Sequence, residues 1–470
     1  MPFIRINIRK KEETDMKKRM IMMIAAVTMA MVGCGQKDSA ILKNETEAAI
    51  IEAQTAGAGV QEKSVDMISL SKAGSNNDEG GTESLDIIDA GELFTDRDML
   101  NSPDISGAKE MTVMDGNDIV ITEEGIYVLS GDAENATVYV EAGSEDKVQL
   151  VLNGLNINNA DSPCIYVKSV DKVFITAMSQ DNSLSVSGDF TADGDTNTDA
   201  VIFSKDDLVM NGTGRLVIAS TDNGITSKDS IKFTGGDLQI ECGGSAVEAH
   251  ESILIAQGNL NILRCNDGLH AEDNDDDATG FIYANGGNIN ITASDDAIHA
   301  TTTVTIDNGS LVLSGSEGIE GTVIQINGGT IDINATDDGI NAAHKSTALS
   351  PLFELNGGTV TVAMGAGDTD GVDSNGDIRI NGGTISITGQ STFDYDGNAE
   401  YNGGTIIENG QDTNVISNQM MGGHGGMGGM GPQGQFRRGK QLGSGDSDEL
   451  PPGDVRQGQR DAGEWQPKDM

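Results

Sequence analysis

The feature that most restricts this chain is a glycine pair that returns at nearly constant spacing through its second half. The unit reads Asn-Gly-Gly-x-apolar-x-apolar. It occurs at Gly286-Gly287-Asn288-Ile289, Gly328-Gly329-Thr330-Ile331, Gly357-Gly358-Thr359-Val360, Gly382-Gly383-Thr384-Ile385 and Gly403-Gly404-Thr405-Ile406. Gly235-Gly236-Asp237-Leu238 is a further copy, and Gly214, Gly258 and Gly309 mark weaker ones. From Gly214 to Gly404 the last glycines of successive copies are 22, 22, 29, 22, 20, 29, 25 and 21 residues apart. The longer gaps hold insertions at 272–277 and 344–347. Within a unit the apolar period is two, as in Leu238/Ile240, Ile289/Ile291 and Ile331/Ile333. Three short strands fit in each repeat, and alternation turns one set of side chains inward. This pattern predicts an all-β chain, a right-handed parallel β-helix with coils of about 22 residues, each burying its core against its neighbours.

Stacked coils place like residues in columns. Asn285, Asn327, Asn356, Asn381 and Asn402 are expected to share side-chain amide hydrogen bonds along one corner. Residues 105–410 are assigned to the β-helix, with 105–210 as irregular first coils and a cap over the open edge. Residues 35–104 read as an acidic flexible linker, and 411–470 as a Gly/Met/Gln-rich disordered tail. The methionines and His424 of that tail could also hold a soft copper ion.

Residues 1–34 read as an export signal. Lys17, Lys18 and Arg19 precede an apolar run at 20–32 that is too short to span a bilayer. The run ends at Met31-Val32-Gly33-Cys34, which resembles a bacterial lipobox with Cys34 as the lipidated residue. Translation is expected to start at Met16. These signs place the protein outside the cell, held to the outer face of the membrane by lipid alone. Cys164, Cys242 and Cys265 have no metal-ligand or disulfide spacing and are expected to be small buried residues.

A formal net charge of -45 excludes nucleic acid as a partner, because phosphate binding needs a basic footprint. The carboxylates are not scattered. One phase of five successive coils reads Asp267-Gly268-Leu269-His270-Ala271, Asp296-Ala297-Ile298-His299-Ala300, Glu317-Gly318-Ile319-Glu320-Gly321, Asp338-Gly339-Ile340-Asn341-Ala342 and Asp370-Gly371-Val372-Asp373-Ser374. Carboxylates about 4.8 Å apart repel by roughly 3–4 kcal/mol at an effective dielectric of 20. Two readings stand for Asp267, Asp296, Glu317, Asp338 and Asp370: ligands of calcium, a cation that favours oxygen donors, or side chains that cap tight bends. Asp273 and Asp275, in the acidic insertion, are further candidate calcium ligands. If the apolar residue of each strand points inward, Gly268, Gly318, Gly339 and Gly371 leave a shallow outer floor. His270, His299, Glu320, Asn341 and Asp373 then stand along it as a polar ladder suited to an extended polysaccharide.

Over residues 105–410 the chain resembles the bacterial carbohydrate-binding domain family of polysaccharide-lyase-like parallel β-helices found on clostridial cell surfaces. Residues 148–154 (Val-Gln-Leu-Val-Leu-Asn-Gly), 203–208 (Phe-Ser-Lys-Asp-Asp-Leu) and 293–300 (Ala-Ser-Asp-Asp-Ala-Ile-His-Ala) carry the likeness. The resemblance implies calcium sites and binding to cellulose-like or pectin-like plant-wall polysaccharides. Ala297 replaces the usual Gly, and Ser245-Ala246-Val247-Glu248-Ala249 lacks the leading acid, which puts metal at those coils in doubt.

Three functions compete. The favoured one is a carbohydrate-binding lipoprotein without catalysis. A calcium-dependent pectate-type lyase would need a base, commonly Lys or Arg, and the acidic ladder contains neither. The third is a structural adhesin. Aromatic residues, at 4%, are too few to suggest a stacking platform for crystalline cellulose.

Overall fold

The computed structural model describes residues 93–178, 181–366 and 369–419. Cys34, the export signal, linker residues 35–92 and tail residues 420–470 lie outside the described residues. Within them the chain forms one continuous sheet of parallel strands coiled into a solenoid. Gln411–Thr413 runs antiparallel to Thr405–Glu408 and closes the last coil.

Three columns of apolar side chains build the core, one from each strand of a coil. Leu269, Ile298, Ile319, Ile340, Val372 and Phe393 pair in succession along the first. Ile282, Val304, Ile324, Phe353 and Ile378 form the second. Ile289, Leu311, Ile331, Val360, Ile385 and Ile406 form the third. All are buried in a single cluster. Period-two alternation is therefore the folding code, each buried aliphatic side chain contributing roughly 1.5–3 kcal/mol. Residues paired along the first column, from Ile225 to Phe393, are 22, 22, 29, 21, 21, 32 and 21 apart in sequence.

The two glycines of a pair serve different needs. A Cβ on Gly357 would lie 2.3 Å from the Asn327 carbonyl oxygen of the preceding coil, so only hydrogen fits. Gly358 turns the chain at φ +78°, which side chains disfavour. Beside this corner, Asn356 donates to Asn327 at 2.8 Å, Asn381 to Asn356 at 2.7 Å and Asn402 to Asn381 at 2.8 Å. Asn285 does not join this ladder. Asn308 is its register partner, and Asn327 turns its amide to Asp307 instead.

Both ends are more ordered than the sequence reading allowed. The end of the supposed linker packs onto the sheet. Leu93 is buried with Leu254, Phe281 and Tyr283. Asp98 is fully buried, 3.1 Å from Lys232 Nζ and 3.7 Å from Lys172 Nζ. Asn101 donates to the Thr234 carbonyl at 3.0 Å. Burial opposes the Asp98 charge, but the two lysines outweigh it and hold its carboxyl below the usual range. The supposed tail likewise begins late: Ile416 is buried, and Gln419 bonds to Phe393. Cys164, Cys242 and Cys265 are free and buried as expected, and burial pushes each thiol up to about 12.

Candidate functional site

The five acidic positions do stack. The N–H groups of Gly268, Ala297, Gly318 and Gly339 bond to the carbonyls of Asp296, Glu317, Asp338 and Asp370 on the next coil. Their side chains diverge in use. Asp267 Oδ1 accepts the backbone N–H of Asp296 at 3.2 Å, and Asp338 Oδ1 accepts that of Asp370 at 3.1 Å. These two cap the following bend. Asp296 instead faces His299, and Glu317 accepts from Asn341 Nδ2 at 3.0 Å.

The neighbouring column is continuous in register from Glu248 through His270, His299, Glu320, Asn341 and Asp373 to Asp394. It is not the open ladder anticipated. His299 is 7% exposed and Glu320 4%. The shallow glycine floor is also corrected. A Cβ on Gly268, Gly318, Gly339 or Gly371 would fall 2.3–2.5 Å from core atoms such as Ile291, Ile333, Val362 and Ile387 Cγ. These glycines face inward, and Ala246 and Ala297 at the same phase are fully buried.

The insertions wall the column. His270 and His299 stack at 4.6 Å between centroids. Glu272, the first residue of one insertion, places Oε2 2.9 Å from His270 Nε2 and 4.0 Å from His299 Nε2. On the other ring edge, Asp267 lies 3.4 Å from His270 Nδ1. Asp296 and Glu320 lie 3.0 and 2.7 Å from His299 Nδ1. Lys345, from the second insertion, reaches Glu320 Oε1 at 2.7 Å. A basic group therefore does sit beside the ladder, contrary to the sequence reading, because a loop 25 residues beyond Glu320 folds back to it. Asp273 lies 4.0 Å from His250 and accepts the backbone N–H of Asp275, closing a local turn; Asp275 itself is exposed.

Electrostatics divide the column. Burial opposes charge on His270, but Asp267 and Glu272 outweigh it and carry its pKa up to about 10. His299 is raised likewise against burial by Asp296 and Glu320. Further along, burial and Glu320 push Glu317 up to about 8. Burial, then Asp373, Asp337 and Asp370, takes Asp338 to about 7 against the backbone bond from Asp370. Asp373 is raised to about 6 by burial and Asp394. Among the described residues no Lys or Arg forms an ion pair with Asp338 or Asp373. This end presents oxygen donors only, the donor type calcium takes, but among the described residues no three of its carboxylates bring ligand atoms within 4.8 Å of one another; the histidine end does.

Toward the N-terminus the same column is aromatic: Tyr139, Tyr166, Phe203, then Thr226. Tyr166 meets Tyr139 at 5.8 Å and Phe203 at 5.5 Å. Lys168 lies 4.7 Å over Tyr139, and Lys228 lies 5.7 Å over Phe203. Glu272, Lys345 and these rings were missed by sequence reasoning. Only the Lys168, Lys205 and Lys228 positions, each one residue after the register positions Val167, Ser204 and Ser227, offered a periodic signal.

Residues 115–371 and 314–419 match a family model described as carbohydrate-binding domain-containing protein. A curated protein of that description from Acetivibrio thermocellus is 33% identical over 153 residues, 32% of this chain and 52% of the relative. The chain thus spans about half the length of the curated relative it matches. A solved structure of the polysaccharide lyase-like protein from C. thermocellum, a gadolinium derivative, is 22% identical. That match covers 62% of this chain and 98% of the other, with a TM-score of 0.33.

Proposed function

Since this chain belongs to the carbohydrate-binding domain family, which matches more than half its length, we propose that its ligand is a plant-wall type polysaccharide, cellulose-like or pectin-like, bound with calcium along the column from His270 to Asp394. The observation that carries this reading is the register itself. One polar side chain stands on each coil in the order His270, His299, Glu320, Asn341, Asp373, with His270, Asn341 and Asp373 partly exposed and His299 and Glu320 buried between them. Such a row, repeating at strand spacing, suits a linear polymer. The calcium candidates are Glu317, Asp338, Asp370 and Asp373 at the oxygen-only end, whose side chains would have to turn toward one another to hold the ion, and it would then offset their mutual repulsion. Asp267 and Asp296 already have imidazole partners, so the argument from like charge is weaker there. Asp273 and Asp275 stay candidates only as a loop site.

Binding without turnover is favoured over a lyase. Burial opposes the Lys345 charge, but Glu320 outweighs it and raises the pKa, so the amine stays protonated and is a poor base. The lipobox-like end at Cys34 supports an exported protein held to the outer membrane face by lipid. Cys34→Ser should abolish membrane fractionation. A glycan array with and without calcium tests the ligand. Calcium-dependent retention of polygalacturonate or cellulose oligomers, lost in Asp338→Asn/Asp373→Asn, is expected. Equal signals from wild type and variant would refute the assignment, as would time-dependent unsaturated products from polygalacturonate.

A further inference from the structure

We infer that His270, His299 and Glu272 form a binding site for a late first-row divalent metal of the zinc class, separate from the oxygen-only calcium positions proposed above. One donor atom from each lies within 4.8 Å of the others. The histidines come from adjacent coils in strict register, and Glu272 directly follows the strand Leu269–Ala271.

Orientation carries the argument. Each ring turns Nδ1 toward a carboxylate: His270 to Asp267 at 3.4 Å, His299 to Glu320 at 2.7 Å and to Asp296 at 3.0 Å. Asp296, hydrogen-bonded to His299 Nδ1 at 3.0 Å, fixes that ring and leaves its Nε2 lone pair available, the arrangement that supports metal-bound histidine; His270 makes its hydrogen bond through Nε2, to Glu272. Both Nε2 atoms then look at one oxygen, Glu272 Oε2, at 2.9 and 4.0 Å. The 2.9 Å contact between His270 Nε2 and Glu272 Oε2 needs a proton or a cation between the two atoms. In the metal-free protein ring protons fill this role, at the cost of two like charges face to face in the 4.6 Å stack. A single metal serves all three donors and takes the place of those protons. Among the described residues, the ion pairs of Glu272 are with these two histidines alone.

Imidazole and carboxylate are zinc donors, and three protein ligands leave a position open. Calcium instead takes six to eight oxygens. Because the Asp267, Asp296 and Glu320 carboxylates act on the ring edges away from Glu272, they are positioning residues.

The test uses the full chain, stripped with chelator and titrated with zinc by calorimetry, and with cobalt(II) by visible absorption. We expect one zinc-dependent rise in melting temperature, a cobalt d–d spectrum with nitrogen and oxygen ligands, and no displacement by millimolar calcium. His270→Gln/His299→Gln should weaken zinc at least 100-fold, and Asp296→Asn by about 10–100-fold. Glu272 is about a third exposed, so Glu272→Gln should fold normally and still lose the cobalt spectrum if the paired histidine variant proves unstable. Metal bound by His424 or the tail methionines appears equally in wild type and variants and cancels. Zinc affinity and cobalt spectra unchanged in Glu272→Gln and in the histidine pair would overturn the site, as would ready displacement by calcium. Glycan retention by the zinc-free protein is scored separately, so failure of the polysaccharide reading and failure of the metal site are distinguishable.

Discussion

The backbone N–H of Thr347 donates to Asp277 Oδ2 at 2.9 Å across 70 residues of sequence. That bond joins the two insertions on the face where His270, His299 and Glu320 stand, and it turns two separate loops into one wall. The backbone N–H of Ser346, one residue earlier, is anchored on Thr322 Oγ1 at 2.8 Å, which fixes the second loop to the coil beneath.

Asp277→Ala should therefore separate the loops without weakening the core. The melting temperature should hold, amide exchange at 343–351 should speed up, and polysaccharide affinity should fall several-fold. Unchanged exchange would mean that the bond restrains neither loop.

Calcium should act at Asp338. One site at ten times its Kd contributes roughly 1.4 kcal/mol. Chelation should lower the melting temperature, with calcium restoring it better than magnesium. Asp338→Asn should shrink this response and stabilise the chelated protein, because it removes one of several crowded charges. Asp296→Asn should leave the calcium response unchanged and lower the melting temperature of the chelated protein, since it strips His299 of a carboxylate partner. Thermal scans of both variants, with and without calcium, separate the two ends of the column.

Asp229 gives a pH dependence away from this face. Burial, then the Glu251 carboxyl beside it, raises its pKa from 3.8 to about 7. Between those values the folded state holds a proton that the unfolded state has released. Stability from this group thus falls as pH rises from about 4 toward 7. Asp229→Asn should flatten that slope and stabilise the protein at pH 8. Parallel urea curves for wild type and variant across this range would refute the assignment.

Asp98 tests the N-terminal clamp. Asp98→Ala leaves Lys172 and Lys232 buried beside an empty place and should cost about 3 kcal/mol, the low end for a broken buried pair because Asp207 still faces Lys172 at 3.5 Å. Urea unfolding measures it, and residues 93–101 should become accessible to protease. A loss within 0.5 kcal/mol would make the segment a passive strand of linker.

The sequence by itself determined the solenoid. Period-two alternation permits only strands with one inward face, and the glycine pairs mark corners where Gly357 has no room for a Cβ and Gly358 turns left-handed. Both are local requirements, so they appear in the chain as a pattern. The stacking of Asp267, Asp296, Glu317, Asp338 and Asp370 was legible for the same reason. What each carboxylate does was not. Asp267 and Asp338 bond to backbone, Asp296 to His299 and Glu317 to Asn341, a choice set by neighbours on the next coil. The inward turn of Gly268 and Gly318 depended on which side of the bend the core lay. Glu272 and Lys345 reach the column only because insertions of irregular length fold back over it, and Asp98 finds Lys232 from 134 residues away. Such contacts follow no period. They are decided where the folded backbone brings charges close enough, with water excluded, for pairing to outweigh the cost of burial.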